Sequence, residues 1–85
     1  MTTALENRDT QTAANALVGR TIENVRYMKA TEARQFGWSY RPLVLELDDG
    51  AVLFATADEE MNDAGVLLVA RGAAESFQVL GRHAV

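Results

Sequence analysis

Residues 41–65 constrain the fold of this chain more than any other stretch, because two apolar-rich runs meet there at Asp48-Asp49-Gly50. In both runs apolar residues recur at every second position, and an acidic loop follows the second run. A period of two on either side of turn-forming residues is typical of a β-hairpin. We therefore expect two antiparallel strands whose buried face carries Leu45, Leu47, Val52 and Phe54.

The turn of this hairpin allows two registers. A two-residue turn at Asp49-Gly50 places Leu47 opposite Val52. A three-residue turn, which adds the preceding aspartate and a glycine bulge, places Leu47 opposite Ala51. We prefer the shorter turn, because it keeps the four apolar residues on one face.

Upstream of the hairpin, the sequence predicts one strand and one short helix. Residues 20–28 are rich in β-branched and aromatic residues, but their spacing is not a strict period of two, which indicates a bulge near Asn24. The helix is expected to start at Thr31, a good N-cap residue, and to end at Gly37, which suits the left-handed position after a helix.

Two strands and an N-terminal segment complete the prediction. Residues 66–70 form a continuous apolar run, which is typical of a strand covered on both sides, and residues 76–80 form the last strand. Residues 1–17 form either a frayed tail or a short helix.

These elements predict an all-β fold. Five short strands separated by turn signals favour a small five-stranded barrel or a strongly bent antiparallel sheet, with one short helix between strands 1 and 2. The single domain spans residues 18–82. Several apolar residues point away from the predicted interior, among them Val44, Leu53 and Leu80, and a lone sheet does not leave so much apolar surface bare. Either residues 1–17 or a second copy of the chain must cover them.

Composition and charge restrict the function classes. The chain has 85 residues and no cysteine, which excludes disulfides and thiolate zinc sites and suits a reducing compartment. Its net charge of −4 disfavours nucleic acids and anionic membranes as partners. No apolar run is long enough for a membrane span, and the N-terminus lacks a secretory signal. We expect a cytoplasmic protein with no membrane partner.

From Gly19 to about Gly65 the chain resembles a family of small uncharacterised prokaryotic proteins. The residues that carry the resemblance read GRTIENVRYM, EARQFGW, RPLVLELDDGAVL and DEEMNDAG. The resemblance implies an SH3-like β-barrel and no particular activity. The chain departs from the pattern at Met61, where the relatives tend to have glycine, and this weakens any role of the loop in holding a ligand closely.

The acidic loop is a candidate ion site. Asp58, Glu60, Asn62 and Asp63 offer the oxygen ligands that Ca²⁺ or Mg²⁺ takes. However, Asp63 stands where a calcium loop needs glycine, and Val69 stands where it needs a bidentate glutamate. We favour the alternative that these side chains form local turn hydrogen bonds, so the sequence predicts no metal and no cofactor.

A basic and aromatic segment is the second candidate site. Its basic residues are Arg26, Lys29, Arg34 and Arg41, and its rings are Tyr27, Phe36, Trp38 and Tyr40. Such interleaving can grip single-stranded nucleic acid through Arg26, Arg34 and Arg41. It can equally close one end of a small barrel, with Trp38 as a plug. We favour the second interpretation, because the net charge is negative.

Catalysis has little support in the sequence. His83 is the only histidine, and Ser39 and Ser76 have no evident base. We therefore expect a non-enzymatic protein–protein interaction module that self-associates, with Trp38, Tyr40 and Arg41 as the contact patch. The alternatives are a domain that binds a small ligand or divalent ion with loop 58–63, and a nucleic-acid-binding barrel.

Overall fold

The computed structural model describes residues 3–71 and 76–85. Two helices and seven short strands follow one another along the chain. They are α1 (Ala4–Leu17), β1 (Ile22–Tyr27), α2 (Ala30–Gln35), β2 (Tyr40–Arg41), β3 (Leu43–Leu47), β4 (Val52–Leu53), β5 (Leu67–Arg71), β6 (Ser76–Leu80) and β7 (His83–Ala84).

The prediction of an all-β five-stranded barrel is wrong. The described strands form three separate antiparallel sheets, with strand orders β1-β3-β4, β2-β7 and β5-β6, and two helices make the fold mixed α/β. A barrel needs every strand to pair on both sides. Here β5 pairs with β6 alone in the described part of the chain, and β4 has only two residues with which to extend a sheet.

The N-terminal segment is a helix that contacts no core. The Thr3 hydroxyl caps it by accepting a hydrogen bond from the Glu6 amide at 3.0 Å, and alanines supply helix propensity. No residue of α1 is buried, so α1 does not cover the apolar surface of the sheets.

The strand predicted within residues 20–28 is confirmed as β1, and so is its bulge. β1 pairs with β3 in antiparallel register, and the register shifts between Ile22 and Asn24. The predicted turn, however, is wrong. Leu45 lies opposite Leu53, and the Leu47 amide donates to the Ala51 carbonyl at 2.9 Å, which is the register of the longer turn.

The longer turn is stabilised locally. Gly50 has a φ of +86°, where a side chain would be strained, and the Asp49 carboxylate accepts a hydrogen bond from the Ala51 amide at 3.0 Å. The added turn residue moves the second strand by one position and so reverses its faces. The four predicted core residues consequently divide: Leu45 and Leu47 lie on one face, and Val52 and Phe54 on the other.

The helix α2 differs from its prediction at the start and agrees with it at the end. Lys29 rather than Thr31 is the N-cap residue, because the Glu32 carboxylate accepts the Lys29 amide hydrogen at 2.9 Å. Gly37 has a φ of +78° and follows the helix as predicted.

The core lies where α2, the following loop and β3 meet. Its members are Met28, Ala33, Trp38, Val44 and Ala64, with the half-buried Phe54 packed against them. Val44, which the shorter turn placed outside, is only 1% exposed. The longer turn explains the error, because it puts Val44 on the same face as Phe54.

The strands predicted at 66–70 and 76–80 form the hairpin β5–β6, but the expectation that the first is covered on both sides is wrong. Leu68 pairs with Val79, and each of these side chains is 61% exposed. None of the described helices is long and apolar enough to cross a membrane.

Candidate interaction surface

On one face of the sheet β1–β3–β4, the residues that lie opposite each other in neighbouring strands are all apolar. The register aligns Val25, Leu45 and Leu53 in a row across the three strands. A second pair, Ile22 and Leu47, lies beside that row. We call these five residues the outer face, because the described core packs against the opposite side of the sheet.

The outer face is largely accessible. Val25 is 52% exposed and Leu53 is 37% exposed, Ile22 is also exposed, and Leu45 is half-buried. Leu47 alone among the five is buried. A row of aliphatic side chains in contact with water is an unfavourable surface for a small monomer, which makes it the leading candidate for an interaction site.

The C-terminal segment covers only one end of this side of the sheet. The Tyr27 hydroxyl, two positions along β1 from Val25, donates to the Gly81 carbonyl at 3.1 Å. The Tyr27 ring also meets His83 edge-on, with centroids 4.5 Å apart. These contacts hold the chain over Tyr27 and leave Val25 and Leu53 accessible.

The opposite face is polar beyond its buried end. Arg26 contacts two carboxylates, Glu32 at 3.1 Å and Glu46 at 3.7 Å, and the Asn24 amide donates to Glu46 at 2.7 Å. The hydrogen bond that the Glu32 carboxylate accepts from the Lys29 amide lowers the pKa of Glu32, and the nearby Arg26 guanidinium lowers it as well. The two faces of the sheet therefore differ sharply: one is aliphatic, and the other carries a network of ion pairs.

The contact patch expected from the sequence is spread over different environments. Trp38 is 3% exposed, its ring N–H donates to the Met61 carbonyl at 2.7 Å, and Phe36 stacks on it with centroids 4.7 Å apart. The Trp38 ring is thus part of the core and offers no free surface.

Tyr40 and Arg41 lie in β2, next to the C-terminus. The Arg82 guanidinium sits 4.1 Å from the centre of the Tyr40 ring, and Arg41 donates to the Ala84 carbonyl at 3.3 Å. Both residues already have partners within the chain, and their role in binding another molecule stays a prediction.

The basic residues of the nucleic-acid alternative do not form one surface cluster of free charges. Arg26 is engaged by the two glutamates described above, and Arg41 contacts the C-terminal strand. Arg34 is exposed in the last turn of α2.

The acidic loop is organised by bonds between its own residues. The Asp58 carboxylate accepts three hydrogen bonds: from the Glu60 amide at 3.1 Å, from the Asn62 amide at 3.1 Å and from the Asn62 side chain at 2.8 Å. The Asp63 carboxylate accepts from the Ala64 amide at 2.7 Å. The hydrogen bonds from Asn62, which stabilise the ionised form, lower the pKa of Asp58.

This geometry uses the candidate ligands for turn formation. Asn62 presents its NH₂ group to Asp58 and to Glu60, so it acts as a donor there. Within the described chain no group of three acidic or histidine side chains is placed to hold a metal ion. Residues 3–71 and 76–85 also form no pocket.

The outer face was only partly visible in the sequence. The alternation of β3 predicts an apolar face that includes Leu45 and Leu47, but the shorter turn assigned Leu53 to the wrong side. The signal that could have found the row is Asp48, the residue that the longer turn adds to Asp49-Gly50.

Comparisons of the chain with known protein families, with curated proteins and with solved structures found no match. The resemblance to small prokaryotic barrel proteins therefore stays a prediction, and the function must be argued from the surface of the chain itself.

Proposed function

We propose that this protein is a non-enzymatic interaction module that self-associates through the outer face. The observation that carries the proposal is the row Val25–Leu45–Leu53, which crosses all three strands of the largest sheet without a polar side chain and has exposed residues at both ends. The helix α1, which could have covered this row, has no buried residue of its own.

A second copy of the chain suits this face better than a charged partner. The face has no charge of its own, so it offers nothing to a partner of opposite sign. In a two-fold dimer the same patch meets itself, and an uncharged aliphatic patch is self-complementary. The charges nearest the hairpin turn are paired within the chain, since Arg20 contacts Asp48 at 3.6 Å and Asp49 at 3.7 Å.

The expected association is weak to moderate. Full burial of one Val or Leu side chain contributes about 1.5–3 kcal/mol. Association costs about 4–15 kcal/mol in lost freedom, so a few aliphatic side chains leave only a modest surplus. We therefore expect an equilibrium between monomer and dimer that responds to concentration.

Two adjacent residues of β4 provide a matched test. Leu53 lies on the outer face, and Val52, which is 48% exposed, lies on the opposite face across from Glu46. Leu53→Lys places a charge in the apolar row and should shift the light-scattering mass of a concentrated sample to that of the monomer. Val52→Lys adds the same charge beside a carboxylate and should leave the mass unchanged.

The far-UV circular dichroism of both variants should match that of the parent, which separates lost association from lost folding. Equal masses for Leu53→Lys, Val52→Lys and the parent would contradict the proposal.

A further inference from the structure

The strand β1 has an unpaired edge beside the outer face. It is the first strand of the order β1-β3-β4, and no described strand pairs with its other side. An unpaired edge presents backbone donors and acceptors to any extended chain that approaches, including the same strand of another copy.

The hydrogen bonds of the sheet show which groups point outward. The Met28 amide donates to the Pro42 carbonyl at 3.0 Å. These two residues lie opposite each other just beyond the ends of β1 and β3, and they occupy a hydrogen-bonded position of that antiparallel ladder. Such pairs alternate with non-bonded pairs along an antiparallel ladder, so Val25, three residues earlier, belongs to a non-bonded pair with Leu45. The N–H and C=O of Val25 therefore point away from β3, toward the open edge.

We propose that two copies join through antiparallel pairing of β1, with Val25 opposite Val25 of the second copy. This inference rests on the proposed self-association and places the contact at the β1 edge of the outer face, where Val25 lies. The two valines exchange two backbone hydrogen bonds across a two-fold axis, and two three-stranded sheets become one sheet of six strands.

The charges along β1 select this register. With Val25 at the axis, Asn24 faces Arg26 and Glu23 faces Tyr27, so no like charges lie opposite each other. Moving the axis to Arg26 places two guanidinium groups directly opposite, which is destabilising.

The remaining registers meet structural obstacles on either side. Moving the axis to Asn24 pairs Glu23, which lies in the bulge between Ile22 and Asn24, directly with Val25 next to the axis, whereas with the axis at Val25 the bulge lies at the end of the ladder. Moving it to Tyr27 centres the second copy on the C-terminal segment, which is held there by the bond from Tyr27 to Gly81, whereas with the axis at Val25 this segment lies at the end of the ladder.

The proposed register also makes the outer face continuous. The apolar row runs Leu53–Leu45–Val25 in one copy and continues through Val25, Leu45 and Leu53 of the second copy. Edge pairing therefore covers the two exposed valines at the axis, while Leu45 and Leu53 of both copies lie on one continuous apolar surface.

A cysteine at the axis tests the pairing directly. The chain has no cysteine, so Val25→Cys introduces the only thiol. Residues of a hydrogen-bonded antiparallel pair lie about 5.5 Å apart at their Cα atoms, which is within the range for a disulfide. Under mild oxidation Val25→Cys should form a covalent dimer at micromolar concentration, whereas Val52→Cys, equally exposed on the other face and at the other edge, should remain a monomer on a non-reducing gel.

Charge exchange tests the same axis without a covalent bond. Val25→Lys alone and Val25→Glu alone should each be monomeric, because like charges meet at the axis. An equimolar mixture of the two should regain a dimer mass by light scattering, and 0.5 M salt should weaken the mixed dimer.

The outcomes separate the two proposals. Failure of Val25→Cys to crosslink and of the mixture to dimerise, while the parent self-associates and Leu53→Lys does not, overturns the edge pairing and leaves the outer face as the contact. A parent chain that never self-associates overturns both.

Discussion

Gly65 shows at the residue scale why a small side chain is needed where two loop segments cross. A Cβ added to it would lie 2.7 Å from the Thr56 carbonyl oxygen, and the Gly65 amide donates to the Ala55 carbonyl at 2.9 Å. The close approach closes the acidic loop at its base. From the sequence, Gly65 can be recognised only as the end of a loop. The need for glycine comes from its contact with Thr56, nine positions earlier, which local sequence patterns do not reveal.

A pair of glycine substitutions tests this contact. Gly65→Ala should lower the free energy of unfolding by about 1–3 kcal/mol, because the added carbon meets rigid backbone atoms. Gly81→Ala should change it by less than about 0.5 kcal/mol, since a Cβ there meets nothing within 4 Å. Urea denaturation of both variants measures the difference, and equal midpoints would show that the crossing is looser than described.

At the scale of elements, the sequence predicts local structure better than pairing. β1 with its bulge, the end of α2 at Gly37 and the strand β3 follow from short-range signals. The register of the β3–β4 hairpin depends on one turn residue, and the pairing of β2 with β7 joins residues more than forty positions apart, so neither pattern is fixed by local preference.

The same limit applies to the candidate site. The apolar composition of β3 was visible, but which of its faces is buried depends on the core that Trp38 and Ala64 build from distant segments. Alternation identifies two faces and does not say which one other elements cover.

The helix α1 should be less stable than the sheet. It has 14 residues and none of them is buried, and isolated helices of this length are marginal in water. We expect its amides to exchange with solvent orders of magnitude faster than those of β3, which lies between two strands. Hydrogen exchange followed by NMR measures this, and equal protection of α1 and β3 would mean that α1 packs against another surface.

The whole molecule combines a small core with an apolar face that its own elements leave open. The core of the described residues has five buried members, and the row Val25–Leu45–Leu53 keeps aliphatic surface in contact with water. The net charge of −4 makes two copies repel each other at long range. At short range the nearest charges, Asp48 and Asp49, are paired with Arg20 in the same chain, so they do not prevent contact at the outer face. Self-association is the simplest way to cover this face.

Sedimentation equilibrium of the unmodified chain over a dilution series measures its self-association. The mass of one chain is 9.3 kDa, and we expect the average mass to rise toward twice this value as the concentration approaches about 1 mM. A mass that stays at 9.3 kDa throughout the series would show that the chain does not self-associate.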